Sequence, residues 1–471
     1  MSEVLASSRN LKSRRLRVGR FGRRYVWLAM IPFMIVTLIV AYQGIYQWQA
    51  AKANQLQIDR WAQAGVPYDN ASVQKLYLER THPDGYSDWA GAIRLVNFGN
   101  CITTYSQIPM IGGDAKLPRV LIPDENIDQW EDKVLVASYL QEMQPVIDLV
   151  ERASTHPTPV QFPMHFQGFN TLLPHIDSSL SIVRLLSLDC EYAYSQNDTP
   201  RALRDLSLMR STKEAFESHD FLVSSLVIIA LRRIQFRSVR RTLAHCAWDQ
   251  SQLESLRELL TAQDDIAAPW RQGLICERAI ALASLNELTL KEISNLLGQE
   301  GTMASRTVQP SDIQLLTRYY NELIDASEDS PLRWKQRAAG IEQRLNIKDR
   351  NSIAALFLPA TAACIGSAIH AEQNRRWTLT AVALRQYHQQ HKTWPQKLSD
   401  LKTLELVFDD YSNLNGQVFG YEVDGQTAYL WKGNENADWE KDHISPTRPT
   451  VQQDSEPVKK KQLDTYLLEL H

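Results

Sequence analysis

Few side chains in this 471-residue chain stand in patterns that could do chemistry. Ser72-x-x-Lys75 and Ser399-x-x-Lys402 have the spacing at which a lysine can activate a serine nucleophile. Neither an S-D-N nor a K-T-G sequence accompanies them, and both serines sit where a helix start would place them. Asn413, Asn415, Gly416 and Glu422 fall at the third, fifth, sixth and twelfth places of a calcium loop. Tyr411 stands where the leading carboxylate must be, so a β-turn accounts better for the same residues. Asn434, Glu435, Asn436 and Asp438 form a second oxygen-rich loop and are the remaining calcium candidates, without the glycines such a loop uses. Glu277-Arg278, inside the apolar LICERAIALASL, could be a buried ion pair or a polar site. A structural pair is the expectation, because buried charges persist when partnered. His388 and His391 are three residues apart without further ligands nearby and read as exposed helix-end residues.

Cys101, Cys190, Cys246, Cys276 and Cys364 are odd in number, widely spaced and free of any C-x-x-C. That excludes a disulfide framework and a zinc site, although one incidental bridge stays open. No H-E-x-x-H, G-x-S-x-G, P-loop or Rossmann glycine pattern occurs. No catalytic residue is assigned, whether the chain is an enzyme stays open with a non-enzyme preferred, and no cofactor is expected.

The elements that would carry these residues begin with an anchor. Residues 1–24 hold eight Lys/Arg against Glu3 alone, a net of +7, which leaves −10 for the rest. The acidic remainder argues against a nucleic-acid partner, whose phosphates would need a basic face. From Tyr25 to Gln47 no charged residue occurs. As helix, Trp27 to Trp48 spans about 31 Å, close to a bilayer's hydrocarbon thickness. Arg23, Arg24, Tyr25 and Trp27 at one end, and Tyr46 and Trp48 at the other, suit the two membrane interfaces. Basic residues are concentrated before the segment, so the expectation is an inner-membrane, single-pass signal-anchor with a cytoplasmic N-terminus and a periplasmic bulk. The arginines then touch anionic headgroups and fix orientation. A cleaved signal peptide fits less well, because the apolar stretch is long and Ala51-Lys52-Ala53 lies well past its centre. Residues 353–371 are also uncharged. Their small and hydroxyl residues, Pro359 and His370 read as a core helix rather than a second span.

The expected organisation is a basic tail (1–24), an anchor (25–48), a helical part (49–154), an array of helical hairpins (155–391), a small α+β segment (392–444) and a polar, disordered tail (445–471). Asn70 reads as the cap of a helix over ASVQKLYLER. Three consecutive helices are expected at Ile176–Ser195, Pro200–Ser218 and Phe221–Ala247, with Asp198 or Thr199 capping the second and Pro200 in its first turn. Further helices follow at about 250–262, 269–298, 311–326, 332–346 and 352–391. Short connections imply antiparallel neighbours. The turn at Asn197-Asp198 with Ala202 suits tetratricopeptide-like helix pairs, yet no sustained 34-residue period runs through the chain. VFGYEV and TAYLWK, separated by Asp424-Gly425, read as a β-hairpin.

Two stretches carry a likeness. Ala383, Leu384, Tyr387, His391, Pro395 and Leu398 follow A-L-x-x-Y-x-x-x-H-x-x-x-P-x-x-L, and Asp410, Gly416 and Tyr421 loosely follow a D…G…Y turn. This segment resembles the C-terminal pattern of uncharacterised single-pass membrane proteins of planctomycete bacteria, and LLPHIDSSLSIVRLLSLDCEYAYSQNDTPRALRDLSLM resembles their middle. The resemblance implies an anchored helical protein and transfers no activity. More distantly, the C-terminal segment is similar to type II secretion pseudopilin heads, in which a loop like 434–438 can hold calcium. Here a long helical region separates anchor from head and no prepilin cleavage site precedes the anchor. The function expected is a membrane-anchored helical scaffold of the cell envelope with a protein or peptide partner. The alternatives are a subunit of secretion or pilus-like machinery and an envelope enzyme without a recognisable motif.

Overall fold

The computed structural model describes residues 20–100, 130, 133–218, 221–261, 267–287, 308–348, 361–414, 416–431 and 467–470. They form a mainly helical chain with one small antiparallel sheet. The helices are α1 (Arg20–Gln63), α2 (Asn70–Arg80), α3 (Tyr86–Asn100), α4 (Lys133–Ala153), α5 (Pro174–Ser195), α6 (Thr199–Phe216), α7 (Leu222–His245), α8 (Gln250–Thr261), α9 (Ala267–Glu287), α10 (Pro310–Ala326), α11 (Pro331–Lys348) and α12 (Thr361–His391). The strands are β1 (Gly420–Asp424), β2 (Thr427–Trp431) and β3 (Leu467–Leu470).

Among the described residues, α1 is the single helix long and apolar enough to cross a membrane. Its most apolar 18-residue stretch has a mean hydropathy of 1.5, and none of that stretch is buried. Large apolar side chains there face outward, Phe33 at 73% exposure and Val40 at 62%. The helix does not stop where the apolar stretch ends. It runs on through Lys52 and Asp59 to Gln63, and in that extension Ala50, Asn54 and Trp61 are buried. It ends where Gly65 takes a φ of +69°, while the Val66 N–H returns to the Trp61 carbonyl at 2.8 Å. Sequence reading treats residues 25–48 and the helix before Gly65 as separate elements, because charge marks the limit of hydrocarbon and not of helix. Arg23, Arg24, Tyr25 and Trp27 lie in the first turns of α1, and residues 1–19 lie outside the described part.

The body packs around two large apolar clusters. One joins α3–α8, the second half of α12 and the sheet. The other joins the end of α1 to α9, α10, α11 and the first half of α12. Helices α12 and α7 run through both: Ile365, Ala368 and Ile369 of α12 serve the second and its Trp377 to Leu384 the first, while Leu222 and Ile229 of α7 serve the second and its Phe236 and Val239 the first. The described part of the uncharged 353–371 stretch is therefore core helix, and residues 349–360 lie outside it. Helices α5, α6 and α7 are successive hairpins whose bounds agree with expectation to within a few residues. Ala202 is fully buried between α5 and α6, where a larger side chain would hold the helices apart. Asp198 caps α6, accepting the Arg201 N–H at 3.1 Å. For α2 the cap is Asp69 and not Asn70. Its carboxylate accepts the Ser72 N–H at 2.8 Å, and the Ser72 hydroxyl accepts the Asp69 N–H at 3.0 Å.

Arginines fasten several other helix ends. Arg375 donates to the Leu260 carbonyl of α8, Arg385 to the Leu243 carbonyl of α7 and Arg257 to the Leu404 carbonyl. A cation at a helix C-terminus meets unpaired carbonyls and the negative end of the dipole. The sheet is held against α12 by Trp394, whose ring N–H donates to the Gln426 carbonyl at 2.7 Å. Tyr421 adds a bond from its hydroxyl to the Pro395 carbonyl at 2.8 Å.

Two details of the C-terminal segment depart from expectation. Asp424 pairs with Thr427, so the turn residues are Gly425 and Gln426, with Gly425 at φ +61° as a type II′ turn requires. Leu467–Leu470, expected within a disordered tail, instead pair antiparallel with β2, and Leu470 is fully buried. An apolar LLEL run recovers enough burial to overcome the polar composition before it. Within the hairpin, a Cβ on Gly420 would overlap the indole of its cross-strand partner Trp431. Gly420→Ala is therefore expected to displace Trp431 and destabilise the sheet by about 1–3 kcal/mol. The outcome is read as faster proteolytic release of the C-terminal segment at unchanged helix content.

Candidate functional site

Two constellations stand out once the elements are assembled. The first is the junction between α1 and the body. Gln47 reaches the start of α10, donating to the Ser311 hydroxyl at 3.0 Å and accepting the Ser311 N–H at 3.1 Å. That N–H is one of the donors a helix start leaves without an internal partner. Asn54, two turns along α1, donates to the Pro310 carbonyl at 2.8 Å. Higher still, the Arg278 guanidinium lies 3.7 Å from the centre of the Trp61 ring and donates to Asn321 at 2.7 Å. Burial lowers the Arg278 pKa to about 10.

Glu277 and Arg278 do not pair. Adjacent helical residues project about 100° apart. Glu277 accepts the Leu222 N–H at the start of α7 at 3.3 Å, and burial of its carboxyl raises it to about 7 even though the residue as a whole is half-buried. The expected pair is thus replaced by two separate ties, one to α7 and one to α1 and α10.

The second constellation is a buried charge cluster between α5 and α6. Asp189 and Asp205 are both fully buried. Arg201 binds Asp189 through two nitrogens, and Arg204 bridges the acids at 2.8 Å to Asp189 and 2.7 Å to Asp205. Arg201 also lies against the Tyr192 ring, its guanidinium 5.3 Å from the centroid. Two residues on from Asp189, Glu191 pairs with Arg241 of α7 at 2.6 Å. Burial first, then the neighbouring Asp189 charge, raises Asp205 to about 9, and one of its carboxyl oxygens has no hydrogen-bond partner. Sequence reading missed this cluster. The signal was available, since Asp189 and Arg204 are symmetric about the Gln196–Asn197 turn and a hairpin must bring them together.

Chemistry elsewhere is committed to packing. His175 stacks 4.6 Å from Phe162 and 6.0 Å from Phe216, and burial lowers it to about 4. A pocket of about 420 Å³, counting space open to solvent, lies between α7, α9 and α12. Its charged lining pairs off, Arg232 with Glu217 at 3.1 Å and Arg375 with Glu372 at 2.7 Å. Cys190, Cys246, Cys276 and Cys364 are unbridged, and Cys101 lies outside the described residues.

The residues singled out in the sequence are not brought together. Ser72 is bound to Asp69 within the α2 cap, and its hydroxyl is bonded at 2.6 Å to the Asp69 carboxylate. Ser399 lies in a 3-10 turn at Leu398–Leu404. The Asn413 side-chain oxygen accepts the Gln417 N–H at 2.9 Å, and Gly416 turns at φ +79°, the geometry of a tight turn. Glu422 is on β1 and Asn415 lies outside the described residues. His388 is half-buried and stacks on Trp394 at 4.2 Å, while the exposed His391 lies 4.2 Å from the Tyr387 ring. Asn434, Glu435, Asn436 and Asp438 also lie outside the described residues. Among the described residues no group of three His, Cys, Asp or Glu is placed to hold a metal ion. Tyr46 and Trp48 are exposed, with the Lys52 ammonium 5.6 Å from the Trp48 ring centre. No protein family, no curated protein and no solved structure matches this chain.

The two buried acids are separable by substitution. Unfolded chain releases the Asp205 proton near 3.8, whereas the folded chain holds it to about 9. Its contribution to stability is full below about pH 4 and declines as pH rises towards 9. Asp205→Asn, which needs no proton, is expected to fold and to remove a slope of up to about 1.4 kcal/mol per pH unit across that window. Asp189→Ala removes the acid that Arg201 binds and one of the two that Arg204 binds, and with both arginines still partly open to water it is expected to cost about 1.5–3 kcal/mol. Urea midpoints of both variants at several pH values make the comparison.

Proposed function

We propose that this chain is a single-pass, membrane-anchored helical scaffold of the cell envelope that binds a protein or peptide partner. The observation that supports it most directly is α1. An uncovered apolar surface and a docked polar stretch share one unbroken 44-residue helix. In the proposed topology the basic N-terminal residues stay in the cytoplasm, the apolar stretch crosses the inner membrane and the helical body stands in the periplasm.

The scaffold reading draws support from how the body uses its charges. Asp189, Asp205, Glu217 and Glu372 each hold arginines that join one helix to another or cap a neighbouring helix. The helical pairs α5–α6 and α6–α7, with the small Ala202 fully buried, support a tetratricopeptide-like arrangement whose outer faces would meet a partner.

Reporter fusions at Lys52 and His471 are expected to report export at both positions. A cytoplasmic report at His471 would overturn the topology. Affinity purification of the intact protein from mild detergent after crosslinking in cells is expected to recover one partner in near-stoichiometric amount. Recovery of none, with a measurable turnover of a small molecule by the purified protein, would reverse the order in favour of an enzyme.

A further inference from the structure

The segment Gln161–Leu173 descends along α2 and turns back into α5. Its level can be read from contacts. The Tyr77 hydroxyl is bonded to Phe162 through both backbone groups, at 2.9 and 2.6 Å, and the Tyr77 ring lies 5.8 Å from Phe166. Gly168 then reaches Asn70, the first residue of α2, with its N–H 3.0 Å from the side-chain oxygen. The Phe169 N–H bonds the Ser284 hydroxyl at 2.9 Å. The tip therefore sits at the start of α2 and near the end of α9.

That end faces the bilayer in the proposed topology. Helix α9 runs antiparallel to α10, with Arg271 bonded to Ser327 and Arg278 to Asn321. Ser284 consequently lies toward the α10 start, where Ser311 is bonded to Gln47 at the limit of the apolar stretch. By helical rise the offset from Ser311 to the level of Ser284 is on the order of 5 Å.

The tip is shaped to present apolar groups. Gly168 adopts φ +58°, and the Thr171 hydroxyl locks the turn by accepting the Gln167 N–H at 2.9 Å and donating to the Gly168 carbonyl at 2.7 Å. Leu172 is left 81% exposed and Phe169 42% exposed. From Pro163 to Pro174 there is no Asp, Glu, Lys or Arg, in a body that is otherwise acidic. A fixed, uncharged loop with two outward apolar side chains meets an interfacial lipid layer without desolvating a charge.

We propose that the loop Gln167–Leu173 is a second membrane contact, inserting Leu172 and Phe169 into the lipid interface beside the α1 span. The proposal rests on α1 crossing the bilayer. Its test uses the full chain in phosphatidylcholine nanodiscs, with photoreactive p-benzoylphenylalanine at one position at a time: Ile39 in the span, Leu172 in the loop, or Val407, which is 61% exposed in the C-terminal segment. Irradiation and mass spectrometry are expected to show lipid adducts at 39 and 172, and a marginal yield at 407. Adducts at 39 with none at 172 overturn the second contact and leave the span intact. Equal yields at 172 and 407 overturn it as well. Adducts at none of the three positions overturn the span and the inference built on it.

Discussion

An apolar surface about seventeen residues long, from Met30 to Tyr46, is left uncovered among the described residues, and this single fact constrains all the rest. Each buried methylene group is worth close to a kilocalorie, so a surface of that size is not stable in water. What makes the constraint reach further is that the same helix continues into the core. Gln47 and Asn54 are bonded to the start of α10, and Trp61 is packed under Arg278. Whatever medium the apolar stretch occupies thereby fixes the placing of α9, α10 and the loops at their ends.

Within the body, charge is used as a fastener. Asp189 and Asp205 lie at zero exposure, and two arginines bridge the two helices over them. Removing ions from water costs several kilocalories each, which good geometry only partly returns. The cluster therefore contributes more to the register of α5 on α6 than to net stability. The same logic applies to Arg375, which satisfies Glu372 and the open end of α8 at once. His175 is kept neutral by the aromatic rings around it, and Arg240 is lowered to about 9 by burial against Trp377.

Much of the architecture was legible because it follows from local rules. The apolar run without charge, the three-helix succession after His175 and the Gly425 turn each depend on a few neighbouring residues, and each is present, the turn one residue on from where it was read. What was not legible depends on distance in sequence. Nothing around Gln47 announces Ser311, more than 250 residues away, and nothing in LLEL announces β2. Glu277 and Arg278 misled because adjacency in sequence is divergence on a helix. The candidate site was the least legible part. A serine three residues before a lysine is a helix cap as readily as a nucleophile, and Ser72 is the former.

The missing hinge between the apolar stretch and the body has a mechanical corollary. A globular head on a slack tether explores a hemisphere of directions, and its reach grows with the length of the tether. Here there is no slack. With the apolar stretch in a bilayer, the head would hold a near-constant elevation and follow the tilt of its anchor, leaving it to drift in the plane and to spin about the membrane normal. Encounters would then be two-dimensional, at the raised local concentration that confinement gives, and surfaces at the right height would be the ones able to touch it.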